Sequence, residues 1–299
     1  MQIPPVGTRV MIRHRLPAGS VPPLTDVIGH LVQTGPTLQV RTKRGDIVAV
    51  AVDDVVVIKA LTGAPVRTAD IRNLEHAAAL AWPGVEQQWV DGWFCRYGND
   101  STRRANSAVP LKLSVSPDLG AIADWYAARS MAPLVSVPDR LFRVPPQAST
   151  EAANLVMVCD IELGEGLGAV GLAPQPDDEW MRIYGRDVPI DVLTAVIGGS
   201  VIFATVAGSA VARAAVTEAP DGTRWLGLSA LHVAPDQRRH GHARALCSAL
   251  LAWGADHGAT RAYAQVLDDN VSAIALFESL RFTLHHRSRY WRIDKALGR

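Results

Sequence analysis

The first sixty residues show no helical period, and that bounds the fold more tightly than any other feature of the chain. "TRVMIRHRL", "DVIGHLVQTG", "TLQVRTKRG" and "DIVAVAVDDVVVIK" alternate apolar and polar side chains at period two, with Gly, Pro and Asp between them. Strands this short bury a single face, and four or five of them do so by closing into a small antiparallel barrel. From about residue 65 the pattern changes, and segments of helical period alternate with strands for the rest of the chain. An all-β module of residues 1–60 ahead of a larger α+β domain of residues 65–299 is the expected organisation.

Length and charge set the outer limits. A chain of 299 residues, 48% hydrophobic and 20% charged, has the composition of a soluble protein with a substantial core. A formal net charge of +1 argues against a global nucleic-acid or membrane-surface role, so an anion site must be local. Cys95, Cys159 and Cys247 are odd in number and widely spaced, which argues against a disulfide framework or a zinc site; no metal is expected. "MQIPPVGTRVMIRHRL" lacks the apolar run of a signal peptide, and no stretch reaches the ~18 apolar residues of a membrane span. These features predict a cytoplasmic protein.

In the larger domain, Thr62–Pro65 supply turn residues, and Ile71, Leu74, Ala78 and Ala81 mark a helix stopped at Pro83 and Gly84. "EQQWVDGWFCRYG" and "RRANSAVPLKLSV" read as strands. "SPDLGAIADWYAARSM" reads as a helix capped by Ser116, and "APLVSV" and "RLFRV" as short strands. Between 145 and 195 the pattern predicts a helix near "STEAANLVMV", a Gly-rich turn, and partial helix over "DDEWMRIYGRDVPIDVLTAVI". Residues 200–233 read as three antiparallel strands. A helix, a strand at "TRAYAQVL", a helix at "NVSAIALFESL" and a closing strand at "FTLHHRSRYWRI" follow.

The helix after residue 233 begins unusually. In "VAPDQRRHGHARALCSALLAWGADHG" the apolar face is Ala243, Leu246, Leu250 and Trp253, and Gly258 is placed to end it. Its first turn carries Arg238, Arg239, His240, His242 and Arg244, although a helix N-terminus already bears partial positive charge. The surplus is sensible if the loop from Arg238 to Ala243 aims backbone N–H groups at a phosphate, with Gly241 allowing close approach. The alternative is a set of exposed side chains on an ordinary helix start. Neither a P-loop nor a dinucleotide glycine spacing occurs here.

"LHVAPDQRRHGHARALCSALLAWGADHG" followed by "AYAQVLDDNVSAIALFESLRF" resembles the acetyl-CoA-binding half of the GNAT superfamily of N-acetyltransferases, over roughly residues 200–291. The resemblance implies that Arg238, Arg239, His240, Gly241, His242, Ala243 and Arg244 meet the pyrophosphate of acetyl-CoA. It further implies that Leu231, His232 and Val233 pair with the pantetheine arm, and that Asn270 and Phe277 line the site. Two positions depart from the family: Arg239 and Arg281 stand where glycine is common. "GWFCRYGNDSTRRANSAVPL" resembles actinobacterial members with a G-W-x-x-R … R-A-N-S strand pair. That makes 65–195 the substrate-side half, with a degenerate duplicate of the fold left open, and 196–299 the coenzyme half. The implied fold is a mixed, mostly antiparallel sheet flanked by helices, behind a barrel of SH3-like or Tudor-like pattern.

Acetyl transfer to an amine of pKa ~10.4 needs a route for its proton, a donor for the oxyanion and a proton for the departing thiolate. The family often uses a Tyr where this chain has Phe277, so Tyr290 is the substitute general acid, against a packing role beside Trp291. The strand before the loop offers Ser229 and His232 in place of a carboxylate, and alternation leaves open which of Leu231 and His232 faces the substrate. Glu218 and Asp268 lie near strand ends, and Cys247 reads as packed. Trp89, Trp93, Trp125 and Trp180 are either acceptor-pocket or core residues. The expected activity is N-acetylation of a primary amine on a small molecule or a protein. A non-catalytic acetyl-CoA-binding regulator is the alternative. Arg13, Arg15, Arg41, Lys43 and Arg44 give the barrel either a basic face for a nucleic-acid or protein partner or ordinary solvated strand edges. Homo-oligomerisation is left open.

Overall fold

The period-two runs form five strands, β1 (Arg9–Arg15), β2 (Leu24–Gln33), β3 (Thr37–Thr42), β4 (Ile47–Ala51) and β5 (Val55–Ala60). All their pairings are antiparallel, in the order β4-β3-β2-β1-β5. Alternation puts Val10, Ile12, Val27, Leu31, Leu38, Val40 and Val50 on one face, where they make a single apolar cluster. Of the basic side chains, Arg13 makes a two-pronged pair with Asp26 at 2.8 and 2.9 Å, and Arg15 donates to the Asp53 carbonyl. The computed structural model describes residues 3–42, 45–61, 66–113, 118–146, 148–161 and 170–293, so Lys43, Arg44, the turn at Thr62–Pro65 and most of the Gly-rich turn after 161 lie outside it. The chain divides into two compact units, Met1–Pro65 and Val66–Arg299.

The second unit opens with α1 (Thr68–Ala81), β6 (Glu86–Val90), β7 (Trp93–Tyr97), β8 (Val109–Pro110), α2 (Leu119–Ala127) and β9 (Leu134–Pro138). It continues through β10 (Thr150–Asp160), β11 (Gly171–Ala173), α3 (Asp178–Tyr184), α4 (Ile190–Thr194), β12 (Ser200–Val206) and β13 (Ala210–Glu218). β14 (Arg224–Val233), α5 (His242–Asp256), β15 (Arg261–Leu267), α6 (Val271–Ser279) and β16 (Thr283–Arg292) complete it. Eight strands form one sheet in the order β11-β12-β13-β14-β15-β10-β16-β9, while β6, β7 and β8 form a small separate sheet. Among the described strands of the large sheet β14 and β15 alone pair in parallel, because α5 carries the chain back between them. No helix among the described residues is long and apolar enough to cross a membrane.

Helices cover both faces of the large sheet. Leu246 and Leu250 of α5 and Phe277 of α6 pack on Ala212, Ala214, Leu226 and Ala264. On the opposite face Leu74 and Ala78 of α1 meet Val156, Val158 and Trp225, and residues of α3 and α4 meet Phe203 and Val211. Every residue of β13 except Glu218 is buried, and its alanines let helices approach from both sides.

Arg213, in the middle of that strand, is 1% exposed. Its Nε donates to the Leu193 carbonyl at 2.6 Å, and its Nη2 to the carbonyls of Ala81 and Ala195 at 2.9 and 3.0 Å. These carbonyls close α1 and α4, so the guanidinium sits where two helix C-termini concentrate partial negative charge. Arg96 does a similar job beside it, donating to the carbonyls of Trp82 and Ser107 and to the Ser107 hydroxyl. Asn106 accepts the Gly98 N–H at 2.8 Å, so the G-W-x-x-R … R-A-N-S residues knot β7 to the end of α1.

The end of α6 explains one family departure. The Arg281 N–H donates to the Glu278 carbonyl and the Phe282 N–H to that of Phe277, the two bonds of a Schellman closure. Arg281 therefore occupies the left-handed position, at φ 64°, and Phe282 packs on Phe277 with ring centroids 5.1 Å apart. A side chain there costs ~1–2 kcal/mol, of which glycine would return part after its own entropy loss. Arg281→Gly is expected to raise the melting temperature by about 1–3 °C in a thermal scan. An unchanged or lower value would mean that the Arg281 side chain offsets its backbone cost.

Four expectations need correction. "STEAANLVMV" is strand, not helix: β10 lies between β15 and β16, and a run buried on both faces loses the alternation that marks a strand. "RLFRV" forms no ladder; Arg140 is left-handed at φ 62°, and Phe142 and Val144 pack on the Trp93–Trp291 cluster from irregular chain. Among the described residues of "RRANSAVPLKLSV", Val109–Pro110 is the one strand, after a 3₁₀ turn at Arg104–Asn106 and an isolated bridge from Ala108 to Val135; Ser114 and Val115 lie outside the described residues. The cap of α2 is Asp118, whose carboxylate accepts the Ala121 N–H at 2.8 Å; Ser116 lies outside the described residues.

Candidate active site

The site begins where two parallel strands part. β14 and β15 pair from Trp225–Arg261 to Leu228–Ala264 and no further, although β14 runs on to Val233 and β15 to Leu267. Ala230 takes a left-handed φ of 50°, and the β13–β14 register slips beside it, between Val211 and Arg213. This bulge turns the end of β14 away from β15. The Ala234 N–H donates back to Ser209 at 2.8 Å, so alternation points the Val233 N–H to the opposite, open edge. An open strand edge is a template for an added strand.

The cleft between the parted strands gathers residues from distant parts of the chain. Ser229, Ala230, Leu231 and His232 of β14 and Ala264–Leu267 of β15 line it, with Asn270 at the N-cap of α6, Ala273 and Phe277 of α6, and Tyr290 of β16. Of the sequence candidates, Leu231, His232, Asn270, Phe277 and Tyr290 thus share one cleft. The bulge lets both Leu231 and His232 line it, which simple alternation forbids. The Asn270 side chain caps α6 by accepting the Ala273 N–H at 3.1 Å. Burial, then the charges of Arg238 and Arg186, hold the His232 imidazole below its ordinary pKa, so it is neutral at pH 7. Burial raises the Tyr290 phenol, with Arg104 and Arg96 pulling the other way.

The charged loop stands at the start of α5. Arg239 and Gly241 are both left-handed, at φ 68° and 85°, flanking His240. Left-handed residues of this kind turn successive N–H groups toward one side, a concavity suited to anions. α2, α3 and α6 are capped by Asp118, Asp177 and Asn270, whereas no side chain caps α5 and its first turn holds no acid. Arg238, Arg239 and His240 are exposed, His242 and Ala243 half-buried. Arg244 donates to the Ser279 hydroxyl at 2.7 Å. The left-handed φ of Arg239 is the physical reason that glycine is common at this position.

A family model described as "Probable histone acetyltransferase Rv0428c C-terminal" matches residues 68–291. A second, "Rv0428c N-terminal Sm-like domain", matches residues 4–59. The chain belongs to the Rv0428c acetyltransferase family. It is 51% identical over 289 residues to "Probable histone acetyltransferase Rv0428c" of Mycobacterium tuberculosis, covering 96% of this chain and 95% of the relative. It is 21% identical to "Uncharacterized N-acetyltransferase YobR" of Bacillus subtilis, over 72% and 95% of the two chains. A GNAT-family putative acetyltransferase structure from Novosphingobium aromaticivorans aligns with TM-score 0.52 and 17% identity, over 72% and 95%, and shares the fold. The period-two module is thus Sm-like, a small β-barrel of the same general kind as the SH3-like pattern.

Several expectations fall outside the cleft. Trp93, Trp125 and Trp180 are core residues and Trp89 is 40% exposed; the tryptophan that lines the cleft is Trp82. Glu218 and Asp268 are solvent-facing. Cys247 is buried, and burial pushes its thiol up to about 12, which makes it a packing residue rather than a nucleophile. Arg103, Arg104 and Arg186 also line the cleft; Arg104 opens the R-A-N-S motif, whereas no sequence signal marked Arg103 or Arg186 as site residues. Among the described residues no group of three or more His, Cys, Asp or Glu is placed to hold a metal ion.

Proposed function

We propose that the second unit transfers an acetyl group from acetyl-CoA directly to a primary amine. The observation that carries this reading is the combination of an uncapped, acid-free start of α5 with an open edge of β14 leading away from it. The N–H groups of the Arg238–Ala243 loop would take the pyrophosphate, with Arg244 at its flank. Leu231–Val233 would hold the pantetheine as an added strand, between Asn270 and Phe277. When bound, the thioester supplies an acetyl carbon open to attack: the N–C bond forms, the C–S bond breaks, and the sulfur leaves needing a proton. The Val233 N–H, aimed into the open edge, would meet the charge on the carbonyl oxygen. Tyr290, protonated at neutral pH, would supply the proton, and neutral His232 is placed to accept one from the amine directly or through water. The Mycobacterium relative is named a probable histone acetyltransferase; the acceptor class of this chain is set by its own cleft.

Calorimetric titration of the full chain with acetyl-CoA and with its 3′-dephospho analogue tests the reading. Micromolar binding of acetyl-CoA, with amine-dependent thiol release, is the expected result. No binding would sink it. Binding without release under any amine would favour a coenzyme-responsive regulator.

A further inference from the structure

The cleft carries a charge pattern that the proposed chemistry does not use. Arg103, Arg104 and Arg186 line it, and no described lining residue is a carboxylate. An adjoining cleft shares Thr102, Arg103 and Arg186 and adds Arg292, with Asp100 and Asp187 as its acids. Arg103 and Arg292 are partly neutralised, since both reach Glu151, at 3.6 and 3.3 Å. Arg104 and Arg186 form no ion pair among the described residues. Their neighbours are ring faces, Trp82 at 5.7 Å from Arg104 and Tyr184 at 6.0 Å from Arg186. The Nε of Arg104 is buried without any hydrogen-bond partner. Behind Ser229 lies Arg213, bonded only to carbonyls and that hydroxyl. The buried carboxylate of Glu75 is committed to His286 at 2.8 Å and does not line the cleft.

A lysine-rich segment would bring further cations into this field, and its ammonium would meet guanidinium groups with no acid to balance them. An acceptor with its own oxyanion fits both needs of the site. The anion pairs with the two guanidinium groups that have no carboxylate, in the two-pronged geometry that arginine favours. The same positive field disfavours the ammonium form of the nearby amine, raising the fraction that is neutral and nucleophilic.

Resting on the acetyltransferase reading above, we propose that the acceptor is an amine bearing a carboxylate or phosphate, held by Arg104 and Arg186, rather than a polybasic peptide. The covalent step is unchanged: acetyl passes from sulfur to nitrogen, and the anion serves only in binding.

The test compares matched amines in thiol release by the full chain: O-phosphoethanolamine against ethanolamine, 4-aminobutyrate against butylamine, and a lysine-rich peptide. Arg186→Glu and Arg104→Gln are measured beside the unsubstituted protein. Arg186 is exposed, so its reversal leaves the core intact. At least one acid-bearing amine is expected to exceed its acid-free partner and the peptide by about tenfold or more in kcat/KM, through KM, and Arg186→Glu is expected to erase that preference. Equal or better turnover of the acid-free amines or the peptide would overturn the proposal. So would a loss of acetyl-CoA affinity in Arg186→Glu as large as the loss for the amine, because the arginines would then serve the coenzyme. Should no amine turn over, equilibrium dialysis of labelled O-phosphoethanolamine and 4-aminobutyrate against CoA-saturated protein decides. Binding of either that Arg186→Glu abolishes supports the proposal, and no binding of either overturns it. Failure of the acetyltransferase reading itself is separate, since it shows as absent acetyl-CoA binding in the calorimeter, or as binding with no thiol release under any amine, whereas the dialysis reads the anion preference alone.

Discussion

Gly241→Asp is expected to raise the Kd for acetyl-CoA at least about 100-fold while leaving the folded protein as stable as before. The two halves of that expectation have different origins. Gly241 is exposed at the start of α5 with φ 85°, and a Cβ built there meets nothing within 4 Å. Asp is among the residues most tolerant of the left-handed region, and a carboxylate at a helix start is favourable in its own right. The melting temperature should therefore move by no more than about 2 °C. Binding is another matter. The new carboxylate competes for the N–H groups intended for the pyrophosphate and repels it, by up to ~4 kcal/mol for unit charges 4 Å apart at an effective dielectric of 20, before salt screening. Gly241→Ala separates the causes: it carries the backbone strain without the charge, and should weaken binding only about tenfold. Calorimetry on the three proteins, with a thermal scan of each, is the check. Unchanged affinity in the Asp variant would place the phosphates elsewhere.

The segment from β12 to β16 was legible in the sequence because its signals are local. The charged start of α5, the Gly258 stop and the Asn270 cap are each contained within a turn of chain, and each stands where the pattern puts it. Even the departures proved readable once built. Arg239 and Arg281 sit at φ 68° and 64°, so both glycine positions keep their backbone while changing their side chain. What the sequence hid was non-local. The opening between β14 and β15 depends on a bulge at Ala230, and "GLSALHV" contains nothing that distinguishes a bulged strand from a straight one.

The earlier part of the second unit was harder for the same reason. β10 looked helical because "STEAAN" is rich in helix formers, whereas its continuous apolar run "LVMVC" is the mark of a strand with sheet on both sides. Arg213 interrupts an alanine-rich strand, and its carbonyl partners come from Ala81, Leu193 and Ala195, the first of them more than a hundred residues away. Arg104 and Arg186 are 82 residues apart, and only the fold brings the 3₁₀ turn after β7 and the loop after α3 to one cleft. In the G-W-x-x-R … R-A-N-S motif Arg96, Asn106 and Ser107 are architectural, since they spend their polar atoms on each other's chain, while Arg104 lines the cleft.

Removing one oxygen from Tyr290 is expected to lower kcat about 100-fold, at the low end of what a positioned general acid supplies. Acetyl-CoA affinity should stay within about twofold, because the ring that packs beside the thioester path remains in Tyr290→Phe. The case rests on exclusion as well as position. Phe277 lines the same cleft and has no proton to give, and no described carboxylate lines it either. Tyr290 is held in β16 between Glu151 of β10 and Ser136 of β9, so its ring is fixed by two ladders rather than sitting at a sheet edge. Burial raises its phenol above the ordinary value near 10. The sign follows: the proton stays on through neutral pH, and its loss as a donor begins only above the usual phenol range. A kcat profile of the unsubstituted protein should accordingly show no fall assignable to Tyr290 between pH 7 and roughly 9.5. The Phe variant should be depressed throughout that window, and the gap between the two should narrow only as pH rises beyond it. Unaltered kcat in Tyr290→Phe would mean that the thiolate takes its proton from water, and would leave Tyr290 the packing role that its neighbour Trp291, buried against Trp93 and Phe142, already fills.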